Sequence, residues 1–522
     1  MRTIGAVLLA VLLVGAYAAQ MARWLRVLQR EHYDPSALLR FLARWSSPQV
    51  PGAKAYQRAH PRRPFTLTHA FLVVMAGAIV FRAYVILAVA AGLYGLLCPT
   101  GLSLRGRTSP LTWTRRLRLT TVVAGGFSVV VATLGAFSAQ PFLGAVIMVL
   151  AVPPVLDLTT RVLRPLEERS AQKFVDQAVR RLEHVRPTVV AITGSFGKTS
   201  TKNYLSALLG PDQAVVASPR SYNNRAGLSR AINENLAEGT KIFIAEMGTY
   251  GPGEIRELTS WCPPEVALVT AIGPVHLERM KTLEVVEAAK REITERASTV
   301  VLNVDDSRLA TWVEPLRAQG KRVLTTGSRS EGVDVRVSVE AGRWTVVIDG
   351  VNVGSLDAVV GVQPTNLACA VGGALVLGVE APTLLERARD VTPVANRLSV
   401  VTAPSGVVVV DDTFNANPAS AQAALSLLGS LEITGRRVVV TPGLVELGSE
   451  QFSENLRLAQ RVAALPAELV AVGRTNVVAL MAGYEKQPQR FDHRDDAVAW
   501  VRSTLIPGDG VLYLNDLPDH YP

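Results

Sequence analysis

The sequence predicts an α/β protein in which a helical transmembrane region precedes two α/β domains. Three observations carry this expectation. Apolar residues make up 48% of the 522 and crowd into the first third, in runs longer than soluble helices use. Charge divides at the same place: 18 Lys and Arg stand against 3 Asp and Glu before residue 165, and 36 against 41 from there on, so a total of +10 hides +15 followed by −5. Beyond residue 187, short β-branched runs alternate with helical stretches, the pattern of a parallel sheet. At about 150 residues per domain the chain is too long for one core. The expected division is a transmembrane region of about five helices over 1–164, a connector over 165–186, a central domain over 187–393 and a C-terminal domain over 394–522.

The isoelectric point near 9.7 does not signal a polynucleotide partner. The basic excess lies between apolar runs, where the positive-inside tendency accounts for it. Cys98, Cys262 and Cys369 are far apart and form no C-x-x-C pair, so neither a disulfide framework nor a cysteine zinc site is read, and reduced cytosolic thiols are expected.

The first apolar run, Ile4 to Ala19, ends in Ala16-Tyr17-Ala18, which a small-residue rule reads as a signal-peptidase site. Cleavage there would leave outside a stretch bearing Arg23, Arg26, Arg30, Arg40, Arg44, Lys54, Arg58, Arg62 and Arg63, so an uncleaved anchor is the better reading. From Arg23 to Trp45, apolar residues recur at helical spacing around a break at Pro35. An interfacial helix and a solvated loop are equal readings of that stretch. The run Phe65 to Cys98 has 34 residues, about 51 Å as a helix at 1.5 Å per residue, against a hydrocarbon core of about 30 Å. Two short helices turning around Arg82 are expected, followed by a basic loop with Arg105, Arg107, Arg115, Arg116 and Arg118. A third block, Leu119 to Leu156, breaks at Gln140-Pro141 and precedes Arg161 and Arg164, which predicts another hairpin. Five crossings place the amino terminus outside and everything after about residue 158 in the cytoplasm. Four crossings would put the remainder on the side without ATP.

After a polar, helical connector from Pro165 to Val185, the run Thr188 to Thr193 predicts a buried strand. It leads into Gly194-Ser195-Phe196-Gly197-Lys198-Thr199-Ser200 and then a helix start. A strand, a glycine loop and a helix amino terminus present N–H groups to an anion, with Lys198 for the outer phosphates and a threonine hydroxyl for Mg²⁺. The strict P-loop pattern fails because Ile192 takes the first glycine position. Strand residues Ile242 to Ala245 end in Glu246, a carboxylate at the ligand edge of a parallel sheet. The strand Val266 to Thr270 leads to His276, a candidate metal or phosphate ligand that by itself is more often structural. Further strands are expected at Val407–Val410, Val438–Thr441, Leu469–Val472 and near Val511–Leu514.

Five segments in order resemble the Mur ligases, closest to the MurF type. They are Thr193 to Thr199, Ser221-Tyr222-Asn223-Asn224-Arg225-Ala226-Gly227, Ala245-Glu246-Met247-Gly248 with Pro252 to Ile255, Ile272-Gly273-Pro274-Val275-His276-Leu277-Glu278-Arg279, and Asp411-Asp412-Thr413-Phe414-Asn415-Ala416-Asn417-Pro418. The resemblance runs from about Val185 to the end. It implies a P-loop-type central domain, a Rossmann-like C-terminal domain that closes over the site, and an ATP-driven amide ligase. In such an enzyme a carboxylate takes the γ-phosphoryl group and an amine then displaces phosphate. It further implies that Gly194, Ser195, Phe196, Gly197, Lys198, Thr199 and Ser200 hold the ATP phosphates. Thr199, Glu246 and His276 would hold Mg²⁺, joined by Lys290 if that lysine is carbamylated. By the same likeness Asn224 lies near the γ-phosphate, Asn366 beside the nucleotide, and Arg397, Asp412 and Asn415 close over ATP.

Three departures bear on substrate. Membrane helices replace the family's soluble domain that binds the UDP end of the precursor, so a lipid-anchored acceptor is a second expectation. The segment Gly361 to Asn366 lacks the histidine of the usual G-x-H-N signature, and Leu514-Asn515-Asp516-Leu517-Pro518 stands where a K-G-S-R turn is usual. The expected role is a membrane-anchored, cytoplasm-facing ligase adding D-alanyl-D-alanine or a similar amine to a cell-envelope precursor, with envelope-synthesis proteins as possible partners. The rivals are a ligase for another peptide or lipid-linked acceptor, a non-catalytic ATP-binding scaffold, and, more weakly, a transporter.

Overall fold

A computed structural model describes residues 2–34, 37–46, 67–104, 111–137, 142–219, 222–414, 416–517 and 521. Pro35, the basic residues Lys54, Arg58, Arg62, Arg63, Arg105 and Arg107, the Gln140-Pro141 break, Ser221, Asn415 and Pro518 lie outside the described residues. The chain forms two compact units, residues 1–170 with 517–522, and residues 171–516.

The first unit is helical: Arg2–Arg30, Ala37–Ser46, Leu67–Val80, Tyr84–Leu97, Arg115–Ala136, Leu143–Leu150 and the beginning of Val152–Val185. Its long helices turn apolar side chains outward, Ile4, Val7, Leu8, Val11 and Val14 on the first and Val122, Phe127, Val129, Val130 and Leu134 on Arg115–Ala136. Such surfaces suit hydrocarbon, because a helix satisfies its own backbone there. Polar groups turn inward instead. Gln20 donates to the carbonyls of Gly95 (3.0 Å) and Cys98 (2.7 Å), and Arg23 to those of Gly95 (2.8 Å) and Leu102 (3.0 Å). The bonds to Gly95 and Cys98 satisfy carbonyls at the end and cap of helix Tyr84–Leu97. Close packing needs small residues: a Cβ on Gly95 would come within 2.7 Å of both Ala16 Cβ and a Val149 methyl.

Two expectations for this unit can be set beside its helices. The hairpin around Arg82 forms, with Arg82 at φ 53°, but its helices have 14 residues each, about 21 Å, which is short of a full crossing. Among the described residues two helices, Ile4–Arg30 and Arg115–Ala136, are long and apolar enough to cross a membrane. A third crossing is available if Leu143–Leu150 and Val152–Val185, bent by 70°, make one span. By length and composition, the described helices thus offer two or three full spans beside the Arg82 hairpin. The amphipathic stretch after Arg23 also differs from its interfacial reading. The first helix runs on to Arg30, and Ala37–Ser46 buries Leu38, Phe41 and Trp45 with Trp24 and Leu28, so protein rather than lipid covers its apolar face.

The connector is helical as expected. It continues the preceding helix without interruption, with Pro165 inside Val152–Val185.

The second unit holds two sheets. Strands β1 (Thr188–Thr193), β2 (Val215–Ala217), β3 (Ile242–Glu246), β4 (Val266–Val269), β5 (Thr299–Asn303), β6 (Arg322–Gly327), β7 (Val335–Glu340), β8 (Arg343–Ile348) and β9 (Val351–Asp357) make the first, in the order β2-β3-β1-β4-β5-β6-β7-β8-β9. The order runs outward both ways from β1, which puts the switch point at its carboxyl end, where open α/β sheets bind ligands. Side chains alternate across the sheet. Val190, Ile192, Ile244 and Leu268 pack with helices Lys198–Leu209 and Pro364–Val376, while Ala191, Phe243, Ala245 and Val269 pack with Arg225–Asn235 and Glu254–Trp261. Each buried aliphatic side chain contributes about 1.5–3 kcal/mol, which ties the loop ends to a rigid base. The antiparallel meander β7-β8-β9 was not anticipated.

The second sheet comprises β10 (Ser399–Thr402), β11 (Val408–Asp412), β12 (Arg437–Thr441), β13 (Glu468–Val472), β14 (Gln489–Phe491) and β15 (Gly510–Leu514), in the order β10-β11-β15-β12-β13-β14. All pairs are parallel except β10 with β11. The four strands expected here all form, within a residue or so of their predicted limits.

Candidate active site

Gly194 and Gly197 give the loop after β1 its shape, at φ 155° and 84°. The loop is fastened to the segment after β4. Ser195 N–H donates to Ala271 O (2.7 Å), the Ser195 hydroxyl accepts from Gly273 N–H (2.8 Å), and Thr270 Oγ1 donates to Phe196 O. Helix Lys198–Leu209 then begins at Gly197 with no side-chain cap, so its first N–H groups face the loop with the positive end of the dipole. An added Cβ on Gly197 would collide with Asn366 Oδ1, which places Asn366 against the loop. Gly197→Ala is accordingly expected to weaken ATP binding about tenfold or more, through left-handed backbone strain and the loss of this contact. Displacement of a fluorescent ATP analogue measures this.

Two lysines meet at one carbonyl. Lys198 Nζ donates to Gly194 O at 2.7 Å, and Lys290 Nζ to the same oxygen at 3.1 Å. Burial pushes the Lys198 ammonium pKa down, a shift that Glu246 opposes and Arg397 reinforces. Lys290 is 1% exposed, and its pKa lies well below the ordinary lysine value, through burial first and the charge of Lys198 second. Both effects favour the free amine over the ammonium.

Glu246, at the end of β3, is the hub of a buried cluster. Its Oε2 accepts from Thr199 Oγ1 (3.0 Å) and Lys202 Nζ (3.1 Å), and its Oε1 from Asn223 Nδ2 (3.1 Å). Lys202 also donates to Ser218 O at 2.8 Å. Lys202 and Asn223 did not emerge from the sequence as site residues. The signal for Lys202 was its position four residues after Lys198, one helical turn along the same face. The adjacent asparagines divide their tasks: Asn223 reaches Glu246, whereas Asn224 caps helix Arg225–Asn235 by accepting from Gly227 N–H at 2.9 Å.

The C-terminal domain supplies the rest. Arg397 lies between Asn396 and Leu398, both left-handed at φ 60° and 53°, at the junction expected of a hinge. It is half-buried near Glu246, Asp412 and Tyr204, and desolvation lowers its pKa. The guanidinium stands 5.0 Å from the Phe414 ring centroid. Asp412, at the end of β11, has its carboxyl pKa raised by burial to about 6, and its Oδ2 is buried without a partner. His276 faces the C-terminal domain: Nδ1 lies 2.5 Å from Glu446 Oε2. Among the described residues no three or more His, Cys, Asp or Glu side chains gather as a metal cluster. Of the residues expected to hold a cation, only Thr199 and Glu246 bond to each other.

These features fit a nucleoside triphosphate. Two left-handed glycines and an uncapped helix start suit phosphate, Lys198 and Arg397 supply cations, and the partnerless Asp412 oxygen is an acceptor suited to a sugar hydroxyl. The hydroxyl and carboxylate of Thr199 and Glu246 are the hard oxygen donors that Mg²⁺ uses beside phosphate.

Residues 192–358 match the Mur ligase middle domain, and residues 396–514 match the Mur ligase glutamate ligase domain. The chain is 30% identical over 355 residues to the UDP-N-acetylmuramoyl-tripeptide--D-alanyl-D-alanine ligase of Mycobacterium tuberculosis, covering 62% of this chain and 69% of that protein. It is 28% identical over 272 residues to the enzyme of the same name from Bacillus subtilis, covering 51% and 58%. Among solved structures, MurF ligase from Thermotoga maritima in complex with ADP is similar at a TM-score of 0.58 and 26% identity, over 66% of this chain and 80% of that one. A pseudomurein peptide ligase type C from Methanothermus fervidus shares the fold at a TM-score of 0.52 and 18% identity, over 64% and 76%. With a nucleotide loop, a lysine pair at the Gly194 carbonyl and a second α/β domain in the positions that both domain matches span, the chain belongs to the Mur ligase family and is an ATP-dependent ligase that forms carbon–nitrogen bonds.

Proposed function

We propose that this ligase joins D-alanyl-D-alanine, or a similar amine, to a carboxylate of a cell-envelope precursor at the cytoplasmic face of a membrane. The observation that carries the reading is the meeting of Lys198 and Lys290 at the Gly194 carbonyl beside the Glu246–Thr199 pair, together with the 30% identity to a D-alanyl-D-alanine ligase.

The acceptor carboxylate oxygen bonds to the γ-phosphorus of ATP, and the bond to the ADP oxygen breaks. The amine nitrogen then bonds to the acyl carbon, inorganic phosphate leaves, and the nitrogen gives up a proton. Carboxylates do not expel oxide at neutral pH, so the protein's task is positioning and charge stabilisation. Lys198 and the helix N–H groups hold the phosphate oxygens, while Arg397 and Asp412 fix the nucleotide from the C-terminal domain. Thr199 and Glu246 would hold Mg²⁺, which when bound offsets phosphate charge. The lowered Lys290 pKa favours the free amine form, which adds to CO₂ with formation of an N–C bond and release of a proton. The carbamate so formed is a long carboxylate reaching from helix Leu283–Arg291 to the loop.

Three crossings, with the Arg82 hairpin dipping in and returning, keep the parity of the five first expected. That parity leaves the catalytic domains on the ATP side. The outward apolar helices favour a second reading, in which the acceptor is lipid-linked and presented at the bilayer.

Phosphate release by detergent-purified protein with ATP and Mg²⁺ tests both readings. Release that rises only with D-alanyl-D-alanine plus the UDP-linked muramoyl tripeptide supports the first. Release that needs a lipid-linked muramoyl peptide supports the second. A rate unchanged by any acceptor or amine sinks both and leaves an ATP-binding scaffold. Lys198→Ala is expected to lower stimulated release at least about a hundredfold, as loss of a direct transition-state contact does.

A further inference from the structure

His276 and Glu446 come from different domains and meet as a pair. His276 follows β4 and opens helix Leu277–Met280, while Glu446 lies between β12 and helix Gln451–Ala464. Nδ1 and Oε2 are 2.5 Å apart, with side chains 21% and 33% exposed. Both are non-glycine residues in the left-handed region, at φ 54° and 64°. Backbone of this kind persists where its surroundings impose it, and it gathers at functional sites.

The contact has a second point in the backbone. Glu278 N–H donates to Glu446 O at 3.4 Å, and a Cβ on Gly448 would stand 3.1 Å from Leu277 O, so glycine permits this approach. Leu444 and Leu447 are buried behind Glu446. On the other side the Tyr250 ring meets His276 edge-on at 4.7 Å, with Arg279 over Tyr250 at 4.6 Å. The imidazole is therefore fixed by an aromatic edge from its own domain and a carboxylate from the other.

We infer that Glu446 is a positioning residue that couples closure of the C-terminal domain to the state of His276. A carboxylate accepting the Nδ1 proton sets the ring orientation and turns Nε2 away from the pair. A carboxylate behind an imidazole does the same for histidines that bind metal or phosphate. Because the carboxylate belongs to the C-terminal domain, His276 is held this way only when that domain is docked. An open molecule has a histidine without its orienting partner, so premature transfer of the phosphoryl group to water is disfavoured. The inference rests on the proposed role of His276 beside the phosphates, and its test does not depend on turnover.

The test uses the full chain in detergent, with dyes on Glu238→Cys in the central domain and Glu485→Cys in the C-terminal domain, both exposed sites. Single-molecule energy transfer then reports the interdomain distance with and without a non-hydrolysable ATP analogue. Glu446→Ala is expected to raise the open fraction at least fivefold without nucleotide. His276→Ala, on the opposite domain, should do the same, and the double variant should open no further than either single one. Glu446→Gln, which keeps an acceptor oxygen, should restore most of the closed fraction. In the ligase assay Glu446→Ala should lower kcat at least tenfold with little change in the KM for ATP. Unchanged distances in Glu446→Ala, or single effects that add in the double variant, overturn the coupling. Absence of turnover in the unmutated protein with every acceptor overturns the proposed function while the distances still decide the coupling.

Discussion

Lys290→Met should abolish turnover and at the same time make the protein more stable. The native lysine is buried, and its Nζ has one recorded bond, to the Gly194 carbonyl at 3.1 Å. Methionine of similar length removes a poorly solvated amine, a gain of about 1–3 kcal/mol on the scale of under-satisfied buried polar groups. The pH dependence follows from the lowered pKa. Below the ordinary lysine value of 10.5 the unfolded chain holds a proton at this position that the folded chain does not, until the pH falls through the lowered folded value. Native stability therefore rises with pH across that window, and the advantage of the methionine variant grows as the pH falls below 10.5 and levels off below the lowered folded value. Turnover should fall at least about a hundredfold, since a group beside the reacting phosphate is lost. Added bicarbonate should raise the rate of the unmutated enzyme and leave the variant unaffected. Thermal scans at two pH values beside a phosphate-release assay decide it. A variant that is less stable at neutral pH, or that keeps its turnover, contradicts this account of Lys290.

Lys202→Met should have the opposite thermodynamic sign. Lys202 and Glu246 are 2% and 1% exposed and 3.1 Å apart. Removing one partner of such a pair leaves the buried Glu246 carboxylate hydrogen-bonded to Thr199 and Asn223, with Lys198 and Arg397 as the remaining nearby cations, at a cost of up to about 3–5 kcal/mol. Urea unfolding followed by tryptophan fluorescence should show the lower midpoint. Adding Glu246→Gln should recover much of the loss, because the uncompensated charge goes with it. If the double variant is no more stable than Lys202→Met alone, charge pairing is not what holds this cluster together. The two lysines thus lie at opposite ends of one trade-off: Lys202 stabilises the site, and Lys290 costs stability in order to be reactive.

Much of the site was legible in the sequence because it is local. The run Thr188–Thr193, two glycines, Lys198 and a helix start fix a strand, a left-handed turn and an N–H cradle within a dozen residues. Glu246 was legible for a similar reason, since a carboxylate closing an apolar strand must lie at the sheet's edge. The Arg82 turn was legible from length alone, because 34 apolar residues exceed one crossing. The meander β7-β8-β9 was not, because antiparallel pairing depends on register between segments rather than on any one segment's pattern. Hydropathy marks apolar runs but not where a helix ends, so the number of full crossings is not read from the runs alone. The Arg82 turn lies between the two helices, each of 14 residues.

By itself, then, the sequence determined the α/β class, the order of the motifs, the apolar helices and the residue types available for nucleotide chemistry, since each depends on neighbours along the chain. Tertiary structure alone decided which groups meet: Lys202 with Glu246, Lys290 with the Gly194 carbonyl, Asn366 with Gly197 and Glu446 with His276. These partners are 44, 96, 169 and 170 residues apart. Contacts at such separations, and the burial that shifts the pKa values of Lys198, Lys290 and Asp412, exist only once the chain has closed on itself and excluded water.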